Sequence, residues 1–384
     1  MKIDPYKNKE KFLKWKINYN CFKDADIGTR SGEILLQYLG DMEMGLNVSK
    51  DSKKGPRSYG RLISIKDKSR FIFKKTKELF GVEDITKVSE EEIHTLFSKM
   101  RNGELLRNDG KQYKSVGDYV KTFKAFWHWY QKVCKKKDKK IEDITIDLDT
   151  SQEKPKWVYL TEEEIRRLCD NVKFDYKVLI MFIFDSGIRA PTELVNVRVS
   201  DLSEDFSKLD IRDEVSKTFG RKINLLLSKG LLKEYIKSKG LSGNDYVFDI
   251  SAPCVNKYLK RACFRLFGDS VTLAGKKYSE ITMYDLRHIS CCFWTPKYKK
   301  EREIMHRFGW KKSDKIYYYS EFLGMSDTIS EEDLLIGIDK TEIERKLDKS
   351  EQENNLLSDR IGLMENQMSK ILELVNELSG VKNV

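Results

Sequence analysis

Two arginines, a lysine, an indole and a late tyrosine follow one another along the second half of this 384-residue chain. They are Arg189 in SGIRAPTEL, Lys217 in SKTFGRKINL, Arg287 in YDLRH, Trp310 in RFGW and Tyr319 at the end of the run Tyr317, Tyr318, Tyr319. These residue types suit cutting and rejoining a phosphodiester without a metal. A nucleophile must sit in line with the leaving oxygen. Fixed donors must meet the charge building on the phosphoryl oxygens, and the departing 5′ oxygen must receive a proton. A guanidinium bridges two phosphate oxygens with its planar fork and stays charged. Lysine delivers a proton when cationic neighbours make it more acidic. A tyrosine oxygen attacks phosphorus and holds the strand as an ester, which conserves the bond energy for rejoining. Taken singly, SGIR reads as a turn, DLRH as a mixed-charge helix and a tyrosine run as core; the order of all five carries the signal. The sequence shows no acidic triad suited to Mg²⁺ and no Walker loop.

The scaffold beneath these residues is basic. Net charge is +11, and its distribution is uneven: residues 331–384 carry 7 Lys/Arg against 13 Asp/Glu, which leaves +17 on the first 330. A basic body of that size fits a polyanion, most often nucleic acid. No run of 18 apolar residues occurs, so no membrane span is expected. The opening MKIDPYKNKEKFLKWK has no apolar signal core, and a cytoplasmic, nucleoid-associated location is expected. Seven cysteines without a C-x-x-C pair, beside only four histidines, read as reduced thiols rather than a zinc site or disulfides. No metal or nucleotide cofactor is expected.

The pattern along the chain predicts a mainly α protein with a small β-sheet (α+β). Residues 1–140 read as a helical DNA-binding domain. Within it Val116, Tyr119, Phe123, Phe126, Trp127 and Tyr130 recur at helical spacing, while Lys121, Lys124 and Lys132 lie on the other face, where phosphates could meet them. Residues 141–157 are polar and end in Lys154-Pro155-Lys156, which reads as an interdomain linker. A catalytic domain is expected over 158–330. Thr161 with Glu164 forms a capping box opening a helix. YKVLIMFIFDSGIR is a nearly continuous apolar helix, and LDIRDEVSKTFGRKINLLL alternates as a β-hairpin. Residues 331–384 hold a heptad seam through Ile343, Leu347, Ser350, Asn354, Leu357, Ile361, Met364, Met368, Ile371, Val375 and Leu378, which predicts a C-terminal coiled coil. Asn354 at an a position favours a parallel dimer; a helix folded back on its own body is the alternative.

On these residues the chain resembles the tyrosine recombinases (phage-type integrases), with an archaeal or archaeal mobile-element flavour. The resemblance is strong over about 157–330 and rests on size, charge and place before that. It implies Arg189 as the first arginine, Lys217 as the hairpin lysine with Lys222 as a second candidate, Arg287 as the second arginine and Trp310 as a phosphate-holding donor. An acidic residue usually stands three positions after the first arginine; here Glu193 stands four after Arg189. The position that holds a histidine three residues before the second arginine holds Tyr284, and His288 follows Arg287 directly. A phenol donates a hydrogen bond but stays neutral near pH 7, so a general-base contribution from position 284 should weaken. The nine-residue spacing from Trp310, and the phrase Ser320-Glu321-Phe322-Leu323-Gly324 after it, select Tyr319 among the three tyrosines. The resemblance implies a site-specific recombinase acting on double-stranded DNA through a 3′-phosphotyrosyl intermediate, dimeric on each site and tetrameric in synapsis. A recombinase-like DNA-binding regulator that no longer cuts, and a type IB topoisomerase, are the alternatives.

Overall fold

The computed structural model describes residues 2–20, 24–48, 54–152 and 154–324, together with scattered helical positions between 349 and 368. Residues 1–320 group as one compact unit and 321–384 as a second.

Five helices lead the first unit: α1 (Asn8–Asn18), α2 (Thr29–Met44), α3 (Tyr59–Phe80), α4 (Glu90–Asn102) and α5 (Val116–Lys135). Local chemistry sets their ends. Ser89 and Glu92 close a reciprocal capping box at the start of α4, and Gly103 ends it in the left-handed region. Of the stripe read from the sequence, Val116, Phe123, Phe126 and Trp127 are buried on α5 and Tyr119 and Tyr130 half-buried, and Trp129, outside that reading, is buried with them. Phe123, Phe126, Trp127 and Trp129 are all buried against Tyr38 of α2, Phe73 of α3 and Phe97 of α4. Each such side chain contributes about 1.5–3 kcal/mol relative to exposure.

The segment expected as a linker is irregular, but it is strapped along α5. Trp127 donates to the Glu142 carbonyl at 2.9 Å and His128 meets Asp143 at 3.0 Å. Lys124 donates to the carbonyls of Ile146 and Leu148, and Leu148 is buried. The polar composition that reads as a linker here supplies hydrogen bonds to a neighbouring helix.

Beyond it come α6 (Glu162–Asp170), α7 (Phe174–Ser186), β1 (Lys208–Ile211), β2 (Arg221–Asn224), α8 (Lys229–Lys239), α9 (Ala252–Phe267), α10 (Met283–Trp294), α11 (Glu301–Phe308) and α12 (Asp314–Phe322). The capping box of Thr161 and Glu164 opens α6 as expected. β1 and β2 pair antiparallel, with Lys208 opposite Asn224 and Ile211 opposite Arg221. α7 is apolar nearly all round and packs against α6, α8 and α10, so it is the central rod of this half. No described helix is long and apolar enough to cross a membrane.

In the second unit the seam positions Ser350, Asn354, Leu357, Ile361, Met364 and Met368 are helical, and Leu357, Ile361, Met364 and Met368 are exposed. The seam positions Ile343, Leu347, Ile371, Val375 and Leu378 lie outside the described residues.

Candidate active site

The site is built where α7, the β-hairpin, α10, α11 and α12 converge. Asp185 near the end of α7 is fully buried; it accepts from the backbone of Leu227 and Ser228 at 2.9 Å each and pairs with Arg307 of α11 at 3.2 Å. That buried carboxylate fixes the rod to the turn after β2 and to α11. Gly187 then ends α7 with φ 61°, and a Cβ there would collide with the Phe308 ring. Only glycine satisfies both the left-handed backbone and the close approach. The turn throws Arg189 back across the end of α11.

Arg189 and Glu193 form one arm of the site. The extra residue between them adds no separation: the Glu193 N–H donates to the Arg189 carbonyl at 2.8 Å, a single helical turn. Arg189 Nη1 lies 2.6 Å from Glu193 Oε1, and its other nitrogen donates to the Gly309 carbonyl at 2.8 Å and to Thr218 Oγ1 at 3.3 Å. Glu193 is wholly buried, and its second oxygen takes Arg221 Nη2 at 2.9 Å. Burial pushes the Glu193 carboxyl up, but the hydrogen bond and charge of Arg221 and the charge of Arg189 outweigh it and hold the group at about 2.

Arg221 was not legible as a site residue. The strand register decides it: in β2 the residues alternate inward and outward, so Arg221 faces in and Lys222 faces out. Lys222 is 78% exposed, on the opposite face of the strand from Arg221, and lies 3.9 Å from Asp210. Lys217 is exposed on the hairpin loop beside Thr218, and Thr218 ties that loop to the Gly309 carbonyl at 2.8 Å.

Arg287 lies one turn into α10, nearly buried, over the Phe308 ring at 5.5 Å. It donates to the Phe308 carbonyl at 2.6 Å and to the Gly187 carbonyl. Burial, and then the nearby guanidiniums of Arg189 and Arg221, pull it below its ordinary value. Two guanidiniums thus pair with the Glu193 carboxylate while the third, Arg287, stands on carbonyls, a surplus of positive charge suited to an anion.

Tyr319 on α12 closes the site and is 4% exposed. Its ring stacks on Trp310 at 5.8 Å and 12°, and its oxygen lies 2.6 Å from His288 Nδ1. Burial, with Cys291 adding in the same direction, pushes its phenol well above the ordinary tyrosine range. Tyr318 points elsewhere, accepting from Trp157 Nε1 at 2.9 Å and donating to the Pro155 carbonyl at 3.1 Å. Tyr317 is exposed. Tyr284 is half-exposed and meets the His288 ring edge-on at 5.1 Å. Trp157, read as linker, is buried and stacks on His288 at 5.0 Å and 26°; an aromatic closing a polar stretch was the one signal for it.

Lys121, Lys124 and Lys132 stand apart from this cluster, on α5. Lys124 and Lys132 are engaged with backbone carbonyls, Lys132 with that of Val48 at 2.8 Å. Lys121 and Lys124 line a cleft of about 280 Å³ with Arg57, Arg61 and His128.

The fold is one that solved DNA integrases share. Three solved structures share it. The Tn1549 transposon integrase in complex with circular intermediate DNA is 13% identical with a TM-score of 0.55, over 75% of this chain and 93% of that one. The same integrase with transposon right end DNA gives 13% and 0.53, over 79% and 96%. A lambda integrase dimer bound to a COC′ core site gives 16% and 0.55, over 78% and 98%. No family model and no curated protein matches the sequence.

Proposed function

We propose that this chain is a site-specific DNA recombinase that cuts one strand by attack of Tyr319 and holds it as a 3′-phosphotyrosyl ester. The observation that carries this reading is the convergence of Arg189, Arg287, Trp310 and Tyr319 on the turn after α11, inside a fold shared with integrases that were solved on DNA. In the proposed step Arg189 and Arg287 fork the non-bridging phosphate oxygens, and the Trp310 indole packs Tyr319 and donates to the phosphate. Lys217, on the exposed hairpin loop, protonates the 5′ oxygen as it leaves. Glu193 orients Arg189. The fixed cations supply the charge stabilisation that a metal would otherwise give, so the chemistry is metal-independent.

The helical region up to about residue 140 and the region from 158 to 330 act as two DNA-binding domains, supported by the cationic cleft beside α5. Binding is dominated by phosphate contacts and falls steeply with salt. Protomers pair on each site and form a tetramer in synapsis, supported by the exposed heptad face of the tail, whose occupant is the same face of a second copy. Arg360 and Glu365, at g and e positions, are complementary across a parallel pair. Location on the nucleoid follows from the DNA substrate.

A supercoiled plasmid carrying the DNA that flanks the gene tests the reading. Denaturing arrest should trap covalent protein–DNA adduct with the wild type and none with Tyr319→Phe. Absence of wild-type adduct would make the chain a DNA-binding regulator. Relaxation without exchange between two plasmid-borne sites would make it a topoisomerase.

A further inference from the structure

The proposed chemistry leaves one proton without an owner. Tyr319 must lose its phenolic hydrogen as it attacks, and Tyr284, which stands where the resemblance has a histidine, is half-exposed and reaches the site only through the His288 ring. We propose that His288 is the general base for Tyr319, taking the phenolic proton on Nδ1. This rests on the recombinase reading above.

Geometry carries the assignment. His288 Nδ1 lies 2.6 Å from the Tyr319 oxygen, within the range for an O–H donor and a ring nitrogen. The imidazole is held by two neighbouring aromatic rings. Trp157 stacks on it at 5.0 Å and 26°, and Tyr284 abuts its edge at 5.1 Å. Trp157 is itself fixed: its N–H donates to the Ala274 carbonyl at 3.1 Å and its indole to Tyr318 at 2.9 Å. Next door, the Val158 N–H donates to Asp285 at 3.1 Å, so the strap that carries Trp157 is tied to the start of α10. A base so positioned needs no reorganisation when the phosphate arrives.

Burial keeps the imidazole neutral while also weakening it as a base, so the assignment rests on the geometry. Burial lowers His288 to about 4, the cations of Arg287 on its own helix, Lys315 on α12 and Lys276 on the preceding loop push the same way, and Asp285 opposes them. The ring is therefore neutral near pH 7 and has a lone pair to offer. Cys291, the other titratable group at the Tyr319 oxygen, is pushed up to about 12 by burial and remains a thiol. A phosphate entering between the arginines adds negative charge beside the imidazole and strengthens it as a base.

The step balances. The Tyr319 O–H bond breaks and its proton goes to Nδ1 as the Oη–P bond forms. The P–O5′ bond breaks, and the 5′ oxygen takes a proton from the Lys217 ammonium. Rejoining reverses both transfers, so imidazolium returns the proton to the phenol.

Single-turnover adduct formation tests this on a nicked duplex carrying the gene's flanking DNA, in ordinary form and with a 5′-bridging sulfur at the scissile phosphate. Sulfur is a good leaving group and removes the need for the acid but not for the base. With wild type the rate should be flat between about pH 6 and pH 9, because His288 is already neutral there. His288→Gln keeps an acceptor but cannot hold a proton; its rate should fall about 100-fold at neutral pH and climb with pH. The sulfur substrate should restore Lys217→Ala and leave His288→Gln slow, and added imidazole should accelerate His288→Ala. A His288→Gln enzyme within about threefold of wild type and flat with pH, or one that the sulfur substrate restores, would overturn the assignment while leaving the recombinase reading in place. No adduct from wild type on either substrate would overturn both.

Discussion

Replacing Glu193 by Gln removes the only carboxylate among three guanidiniums, and the structure sets the size of the effect. The carboxyl sits at about 2 against an ordinary 4.5. That difference corresponds to about 3 kcal/mol of stability at neutral pH. The pair as a whole is worth less, because burial pulls Arg221 down; deleting Glu193 alone is costly because it leaves Arg221, with no exposed side-chain surface, facing Arg189 unpaired. The sign with pH follows from the depressed value. The stabilisation is fully present above about pH 4.5 and fades as pH falls toward about 2. Urea unfolding followed by tryptophan fluorescence should show the Glu193→Gln midpoint lowered by about 1 M at pH 7. The gap between variant and wild type should close as pH falls through that window. Adduct formation should also drop, since Arg189 loses its 2.6 Å anchor. A variant within about 0.5 kcal/mol of wild type at pH 7, with the same acid curve, would refute the claim that this carboxylate holds the arginines.

Gly187→Ala should destabilise by about 1–3 kcal/mol, since φ 61° and the Phe308 ring both exclude a Cβ; it should lower adduct formation as well, because Gly187 is the turn that aims Arg189. Thermal unfolding and the adduct assay read the two effects. Trp157→Phe should keep a ring on His288 but lose the donor to Tyr318, for a loss of about 1 kcal/mol, whereas Trp157→Ala should cost about 3–5 kcal/mol; calorimetry separates them. Truncation after residue 335 should lower the oligomeric mass seen by light scattering and reduce recombination between two sites while leaving adduct formation on one site intact. Unchanged mass and unchanged recombination would remove the tail from assembly.

Much of the fold was legible because its signals are local. The apolar stripe of α5, the Thr161–Glu164 box and the alternation of the hairpin each depend on spacing within a dozen residues. The candidate site was legible in part for the opposite reason: Arg189, Arg287, Trp310 and Tyr319 each sit in a short phrase whose order is distinctive. What the sequence concealed depends on packing between distant elements. Arg221 enters the site only because β2 turns it inward, and Lys222 faces out for the same reason. Trp157 reads as the end of a polar linker until the strap lays it on His288. Glu193 looked displaced by one position, yet a single turn brings its carboxylate onto Arg189.

The partners of the arginines bear on the phosphate binding proposed above. Arg287 and one nitrogen of Arg189 are satisfied by the carbonyls of Gly187, Phe308 and Gly309, not by carboxylates. A carboxylate would cancel the charge and have to be displaced at a cost of several kcal/mol. A carbonyl holds the fork in place but leaves its charge uncompensated, and an arriving phosphate gains charge-assisted hydrogen bonds about twice as strong as neutral ones. Glu193 orients without neutralising, because it is one charge shared between Arg189 and Arg221 while Arg287 has none. The turn that supplies the Phe308 and Gly309 carbonyls also carries Trp310, on which Tyr319 stacks. The anchoring of Arg189 and Arg287 and the stacking of Tyr319 therefore bear on one segment, residues 308–310.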